Sequence, residues 1–260
     1  MTNKPVVVAI DGSATTERAI RWAAAEAQSL GTALRLVYAF AWPLAAVPRG
    51  RSGADADLVE VADRVVSRSL EIARELEPDL DVEAGRIPGF LMPVMIEESR
   101  HAQLLVIGSR GLSGGLGATT CSTALDLAAG AYCPVVVIRP DHGRSTDGPV
   151  VVGHDGSPAS TAALALGTDH AHRHHAVLRV VNDCRPAQEL LRQSAEARLI
   201  VIGARGCGGF DGQLLGSVSQ AVLHQATCPV AVIPLAAVSR RAPVGGPQPL
   251  GISRAAADFG

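Results

Sequence analysis

The chain repeats itself, and this internal repeat limits most strongly what it can fold into. The segment VVVAIDGS (Val6–Ser13) recurs as VVVGHDGS (Val150–Ser157), and LLVIGSRG (Leu104–Gly111) recurs as LIVIGARG (Leu199–Gly206). Each segment is an aliphatic run that ends in Gly and polar residues, which is typical of a buried strand entering a loop. The 260 residues therefore contain two copies of one structural unit, a length suited to two domains.

The first copy (copy one) and the second copy (copy two) differ in length. Asp11 maps to Asp155, 144 residues later, whereas Gly108 maps to Gly203, 95 residues later, so copy two lacks 49 residues. The flanking sequence places the missing part opposite residues 39–87 of copy one, which contain one predicted helix and one weak predicted strand. Because a central loss would leave two strands unpaired, that strand is expected at the edge of the sheet.

Predicted strands and helices alternate through both copies. Short runs of Val, Ile and Leu, typical of parallel strands buried on both faces, separate longer segments with helical spacing. The pattern predicts an α/β fold with two tandem open parallel-sheet domains and helices on both faces. The predicted boundaries are 1–140 for the first domain, 141–149 for a linker, 150–235 for the shortened second domain and 236–260 for a loose C-terminal tail.

The composition of the chain argues against nucleic acid and membranes as partners. The formal net charge is −2, so no field of one sign favours nucleic acid or an anionic membrane. The apolar run before Asp11 spans five residues, which is too short for a signal peptide or a membrane span. The five Cys residues are scattered without a CxxC pair, as expected in a reducing compartment. We therefore expect a cytoplasmic protein that binds neither nucleic acid nor membrane.

The loop that follows the predicted strand Leu199–Ile202 carries the chemistry. Gly203 and Gly206 are followed after nine residues by Gly216 and Ser217, where a helix is predicted to begin. Glycines let backbone N–H groups approach an anion closely, and a helix N-terminus carries partial positive charge. Asp155 ends the first strand of copy two at the same edge of the sheet. Its carboxylate is expected to accept a hydrogen bond from a ribose hydroxyl or an adenine amino group. The pattern predicts a nucleotide site.

The motifs VAIDGS, GHDGS, IGARG and GSVSQAVLHQATCPVAVI together resemble the universal stress protein family, in its ATP-binding branch. The resemblance covers Val6–Arg139 and Val150–Pro234. It implies a parallel sheet in the order 3-2-1-4-5, so copy two is expected to keep 2-1-4-5. It also implies that the last strands of the two domains pair antiparallel, which makes a pseudo-dimer within the chain and is compatible with a homodimer of chains.

The resemblance assigns nucleotide contacts in both copies. In copy two they fall on Gly153, Asp155, Gly203, Gly206, Gly216, Ser217 and Ser219, and in copy one on Ala9, Asp11, Ala39, Gly108, Gly111 and Ser122. Copy one has Cys121 where the motif has Gly, and that side chain is expected to crowd the phosphates or to exclude a positive φ. Copy two keeps the glycine loop, but its deletion begins at Asp183, where the adenine-side loop should be.

Two other interpretations compete for single motifs. Gly111 to Gly115 match the G-x-S-x-G of esterases with Ser113 as nucleophile, but copy two has Gly208 at that position and no triad order is evident. His170, His172, His174 and His175 have spacing compatible with a metal site, yet carboxylate or Cys ligands in register are missing. A solvated helix terminus is the preferred interpretation of these His residues, and no metal site is predicted.

The favoured function is therefore regulatory. We expect ATP, with or without Mg²⁺, to be held by the glycine loop and to alter contact with an unidentified protein partner. The sequence offers no general base or metal cluster for fast turnover, so at most slow ATP hydrolysis is expected. The resemblance implies a role in stress or dormancy. The alternative is a nucleotide-free interaction scaffold of the same fold.

Cys133 and Cys228 each precede a Pro-Val pair that begins a predicted strand, and we interpret both as small core residues.

Overall fold

The computed structural model describes residues 4–41, 54–109, 122–139, 147–183, 185–206 and 215–241. Several features singled out above lie outside these ranges, namely Gly111, Ser113, Cys121, Cys184, Cys207, Gly208, most of the predicted linker and the residues after Arg241. Among the described residues, no helix is both long enough and apolar enough to cross a membrane.

The strands are short aliphatic runs, and they alternate with helices along the chain. The strands are β1 (Val6–Ala9), β2 (Leu34–Phe40), β3 (Val82–Pro88), β4 (Leu104–Gly108), β5 (Val135–Ile138), β6 (Val150–Gly153), β7 (Leu178–Val181), β8 (Leu199–Gly203) and β9 (Val230–Ile233). The helices are α1 (Ala14–Leu30), α2 (Ala54–Leu76), α3 (Leu91–His101), α4 (Ser122–Gly130), α5 (Pro158–Arg173), α6 (Pro186–Gln193), α7 (Ser217–Gln225) and α8 (Leu235–Arg241).

All of these strands belong to one nine-stranded sheet with the order β3-β2-β1-β4-β5-β9-β8-β6-β7. Copy one has the predicted order 3-2-1-4-5, and copy two has the predicted order 2-1-4-5. Neighbouring strands are parallel within each copy. Because β3 lies at the outer edge, copy two loses its equivalent without leaving a gap inside the sheet.

The two copies meet through β5 and β9, which pair antiparallel as expected. Val136 faces Ala231 at the centre of this register, and the repeat offset of 95 makes these two residues equivalent. A contact centred on equivalent residues relates the copies by an approximate two-fold axis. Arg139, just after β5, extends the contact by donating to Leu223 O at 2.9 Å and His224 O at 2.8 Å, carbonyls in the last turn of α7.

Helices cover both faces of the sheet, which explains why the central strands β1, β4, β5, β6, β8 and β9 consist of aliphatic residues and glycine. Alternate residues of each strand face opposite sides, so Val7 and Ala9 pack towards α3 and α4, whereas Val6 and Val8 pack towards α1 and α2. In copy two, α6 and α7 cover the first face and α5 covers the second. The missing helix and strand leave β7 as an edge, where Val180 is 50% exposed.

Two interpretations made from the sequence were wrong in part. A loose tail was predicted from residue 236, but Leu235–Arg241 form α8 because Ala237 is buried and Val238 packs on the apolar layer beneath α5. A solvated terminus was predicted for all four His residues of α5. His172 and His175 are exposed, whereas His170 and His174 contact Glu26 of α1. The sequence pattern missed this carboxylate because it belongs to the other copy.

Glu26 is almost fully buried, against Arg173 and the imidazoles of His170 and His174. Burial alone would raise the pKa of Glu26, but hydrogen bonds from His170, His174 and Arg173 outweigh it and hold that pKa well below the usual carboxyl range. Burial lowers the pKa of His170, and the neighbouring Glu26 offsets part of this effect. Glu26 is therefore an ionised group that ties α1 of copy one to α5 of copy two.

The close packing of α5 on β6 predicts a specific sensitivity. A Cβ atom at Gly167 would overlap Cγ2 of Val152, so Gly167→Leu should lower the free energy of unfolding by about 1–3 kcal/mol. The exposed Ala165 of the same helix provides the control, since Ala165→Leu should change stability by less than about 0.5 kcal/mol. Urea denaturation followed by circular dichroism measures both, and equal stability of the two variants would contradict this packing.

Candidate functional site

A cavity of about 430 Å³ lies beyond the carboxyl ends of β6, β7 and β8. This is the edge at which ligands bind in open α/β sheets. All seven residues that the sequence assigns to the copy-two site line it, namely Gly153, Asp155, Gly203, Gly206, Gly216, Ser217 and Ser219. These residues come from three separate segments of the chain, and the fold brings them to one place.

Asp155 and Gly206 form one wall of the cavity. The Asp155 carboxylate accepts from the Ser157 N–H at 3.0 Å, and Gly156 between them has a φ of 81°, which favours glycine. Ser157 then caps α5 by accepting from the Ser160 N–H at 3.2 Å. A Cβ atom at Gly206 would overlap Oδ2 of Asp155. The carboxylate lies directly against the Gly206 backbone, so a larger residue at this position would displace the Asp155 side chain.

Gly203 and Gly153 end their strands where helices press closely on the sheet. A Cβ atom at Gly203 would lie 2.8 Å from the Cβ of Ala159, at the start of α5. A Cβ atom at Gly153 would lie 3.1 Å from Ile202 and 3.2 Å from Leu190 of α6. Both glycines thus have a packing role, and their small size also keeps the cavity open at the strand ends.

The N-terminus of α7 faces the cavity without a side-chain cap. Gly216 is the N-cap residue, and its own N–H donates to Ala204 O at 2.8 Å. The first intrahelical bond that follows is donated by Gln220 to Gly216 O, so the N–H groups of Ser217, Val218 and Ser219 precede the helical bonding pattern. These three residues line the cavity. They present the partial positive charge of a helix N-terminus to whatever occupies it.

Two details of this helix start differ from the sequence argument. Gly216 has a φ of −73°, so its backbone does not need glycine. Of the two effects expected of Cys121, exclusion of a positive φ therefore has no counterpart at the equivalent glycine of copy two. A Cβ atom there would meet nothing nearer than Ala204 O at 3.6 Å. Ser219 is buried, and its hydroxyl donates to Gly203 O at 2.7 Å. Ser219 therefore fixes α7 to the end of β8, besides lining the cavity.

The cavity also contains residues that sequence reasoning missed. Arg205, between the glycines of the loop, brings a cation to the wall, and its place in the G-x-x-G spacing could have indicated this. Val181, Asn182 and Asp183 line the other end, and Leu190 of α6 is among the apolar side chains there. The deletion was expected to damage this end. Instead α6 follows β7 closely and helps to enclose it.

In copy one the structure describes part of the predicted set. Ala9 ends β1, Ala39 lies in β2, Gly108 ends β4 and Ser122 is the first residue of α4, whereas Gly111 lies outside the described residues. Asp11 Oδ1 accepts from the Ser13 N–H at 2.9 Å and from the Thr16 hydroxyl. Asp11 Oδ2 is buried without a hydrogen-bond partner among the described residues. This orphaned oxygen indicates a place for a ligand donor.

Cys133 and Cys228 are free and buried, as the sequence predicts. Burial raises the pKa of each thiol to about 12, so both remain protonated near neutral pH. They are packing residues.

Comparison with known proteins identifies the family. The model of the universal stress protein family matches residues 2–139 and 182–234. The chain belongs to the universal stress protein family. A universal stress protein of Mycobacterium tuberculosis is 31% identical over 285 residues, covering 87% of this chain and 96% of the relative. One from Mycolicibacterium smegmatis is 30% identical over 291 residues, covering 89% and 97%.

The lengths of these alignments fit the shortened copy. An alignment over 285 residues that covers 87% of a 260-residue chain must contain relative residues that this chain lacks. Among solved structures, a universal stress protein of Archaeoglobus fulgidus matches with a TM-score of 0.70 at 16% identity, covering 89% of this chain and 96% of that protein. This likeness supports the fold of the tandem arrangement.

The different packing of two glycines predicts different responses to one substitution. Gly203→Ser should lower the free energy of unfolding by about 1–3 kcal/mol, because the new Cβ enters the contact with Ala159. Gly216→Ser should leave stability unchanged or raise it by about 0.3 kcal/mol, because Ser is a slightly better N-cap than Gly and its Cβ has room. Chemical denaturation compares them, and a larger loss at Gly216 would contradict the described geometry.

Proposed function

We propose that this family member is a regulatory ATP-binding protein whose main site is the copy-two cavity. The observation that carries the proposal is the uncapped N-terminus of α7, which opens into the same cavity as Asp155 and Arg205. A helix N-terminus with a nearby Arg suits phosphate, and a carboxylate suits a ribose or an adenine amino group.

The remaining walls suit the other parts of ATP. Val181 and Leu190 offer apolar surface for a flat base, and Asn182 offers an amide for its polar edge. A volume of about 430 Å³ lies in the range of small-molecule sites. We propose that the phosphates lie against Ser217, Val218 and Ser219 and carry any accompanying Mg²⁺, since Mg²⁺ is commonly held through substrate phosphates.

Copy one is proposed as a second, weaker site. Its residues are Ala9, Asp11, Ala39, Gly108, Gly111 and Ser122, with Cys121 at the position of the glycine before Ser122. Asp11 Oδ2, which is buried and has no hydrogen-bond partner among the described residues, supports a ligand there. Cys121 adds a side chain where Gly216 has none in copy two, which is the reason to expect weaker binding.

The proposed role is regulation with little or no catalytic turnover. We propose that the nucleotide changes the surface presented to a protein partner in a cytoplasmic stress or dormancy response. Binding at the cavity would favour one arrangement of the described residues that line it at Gly206 and Gly216. A ligand that stabilises one arrangement of a loop shifts its equilibrium by its differential affinity.

The charge of the phosphates provides the sharpest test. Asp at position 216 is a favourable N-cap but places a carboxylate where the phosphates are proposed, whereas Asn has the same shape and capping ability without the charge. Two unit charges about 4 Å apart near a protein surface interact by about 4 kcal/mol. Gly216→Asp should therefore weaken ATP binding at least about tenfold relative to Gly216→Asn, as measured by isothermal titration calorimetry.

Three outcomes would count against the proposal. Equal ATP affinity in Gly216→Asp and Gly216→Asn would show that the phosphates lie elsewhere. Absence of any ATP binding by the unsubstituted protein at millimolar Mg-ATP would support the nucleotide-free scaffold. Turnover of a generic ester that is lost in Ser113→Ala would favour an esterase. Thermal denaturation of both variants without ATP serves as the folding control.

A further inference from the structure

Three side chains with metal-binding atoms converge where α1 of copy one meets α5 of copy two. Glu26 Oε2 lies 3.0 Å from His170 Nδ1 and 2.9 Å from His174 Nε2. The ligand atoms of the three residues all lie within 4.8 Å of one another. Glu26 and His170 are equivalent residues under the repeat offset of 144, so they meet across the approximate two-fold axis. The cluster is separate from the proposed nucleotide site.

We propose that Glu26, His170 and His174 bind one divalent transition-metal ion of the Zn²⁺ class. Two imidazole nitrogens and one carboxylate oxygen form a ligand set used for Zn²⁺, Co²⁺ or Ni²⁺, whereas Mg²⁺ and Ca²⁺ prefer oxygen ligands alone. Tetrahedral bonds of about 2.0–2.1 Å place ligand atoms roughly 3.3 Å apart. The two distances to Glu26 Oε2 need to open by only a few tenths of an ångström.

The backbone places the two imidazoles correctly for a shared ion. His170 and His174 are four residues apart at the end of α5, so their side chains lie on the same face of the helix. Their ring centroids are 4.3 Å apart. Trp22 of α1 stacks on His170 with an interplanar angle of 10° and a centroid distance of 6.0 Å, which restricts the rotation of that ring. The site is thus built from both helices before any ion arrives.

Charged neighbours orient the carboxylate and leave one oxygen for the ion. Arg173 Nη2 donates to Glu26 Oε1 at 2.6 Å, so Oε1 is occupied and Oε2 faces the imidazoles. Part of the Arg173 charge is offset by Asp169, whose Oδ2 accepts from Arg173 Nε at 3.0 Å. Such contacts behind a ligand fix its orientation and contribute to metal affinity. When the ion is bound, His170 Nδ1 and His174 Nε2 coordinate it, and the other nitrogen of each imidazole carries the proton.

The burial of the cluster explains how an ion enters and what remains open. The side chains of Glu26 and His170 are 3% and 4% exposed, whereas that of His174 is 19% exposed. Solvent therefore reaches the cluster from the His174 side, and a water on that side completes four ligands. An ion held there joins α1 to α5 and strengthens the association of the two copies.

The test uses the full chain, freed of metal with a chelator and then titrated with Co²⁺, whose visible absorption reports tetrahedral coordination. One Co²⁺ should bind per chain and be displaced by Zn²⁺. His174→Gln keeps an N–H donor for Glu26 but removes the imidazole, and should weaken binding at least about tenfold. His172→Ala removes an exposed imidazole from the same helix, and should leave the affinity unchanged.

The thermal denaturation temperature without metal shows whether the variants fold. The proposal is overturned if metal-free protein takes up no stoichiometric Co²⁺ or Zn²⁺, or if His174→Gln binds as tightly as the unsubstituted protein. Either result would leave the cluster as an ion-pair network that joins the two copies without a metal. If His174→Gln does not fold, Glu26→Gln, which keeps the size of the side chain and one carbonyl oxygen, replaces it with the same expected loss.

Discussion

The antiparallel pairing of β5 with β9 is the interaction on which the rest of the structure depends. It joins two parallel sheets into one nine-stranded sheet, and its register is centred on the equivalent residues Val136 and Ala231. The same pairing lets Arg139 of copy one bond the last turn of α7 in copy two. It also brings Glu26 of α1 against His170 of α5. A copy-two domain alone would lose both contacts, so the two copies support each other's helices.

Duplication lets equivalent positions diverge, and the structure shows two consequences. Equivalent residues meet at the approximate two-fold axis. A symmetric dimer of identical domains would therefore place Glu beside Glu or His beside His at this position. The tandem chain instead pairs Glu26 with His170. A carboxylate opposite an imidazole at this position, hydrogen-bonded at 3.0 Å, favours association of unlike copies within one chain. In the sheet, copy two can lose its outer helix and strand because the equivalent strand of copy one, β3, lies at the edge.

The strand order of the sheet could be predicted from the sequence, because each strand is a short apolar run and most of these runs occur twice in the chain. The offsets of 144 and 95 residues located the deletion, and the family resemblance then placed the missing strand at an edge. The glycine loop could be predicted in part because two of its glycines lie against other groups, Gly203 against Ala159 and Gly206 against Asp155. All seven residues predicted for the copy-two nucleotide site line one cavity.

Other features could not be predicted because they depend on tertiary contacts. Glu26 meets His170 across 144 residues of sequence, and no pattern within α1 or α5 indicates that partner. The enclosure of the cavity by Leu190 depends on how closely α6 follows β7, which the alignment of the copies could not show. The φ of Gly216 could not be predicted, because a glycine before a helix need not have a positive φ. Its small size leaves space beside the helix N-terminus.

The central claim is that copy two holds the phosphates of a nucleotide at the N-terminus of α7. Electron density from crystals grown with Mg-ATP tests it most directly. The account predicts phosphate density within hydrogen-bonding distance of the backbone N–H groups of Ser217, Val218 and Ser219, with the base between Val181 and Leu190. Nucleotide density only in copy one, or a copy-two cavity that stays without nucleotide at millimolar Mg-ATP, would contradict it.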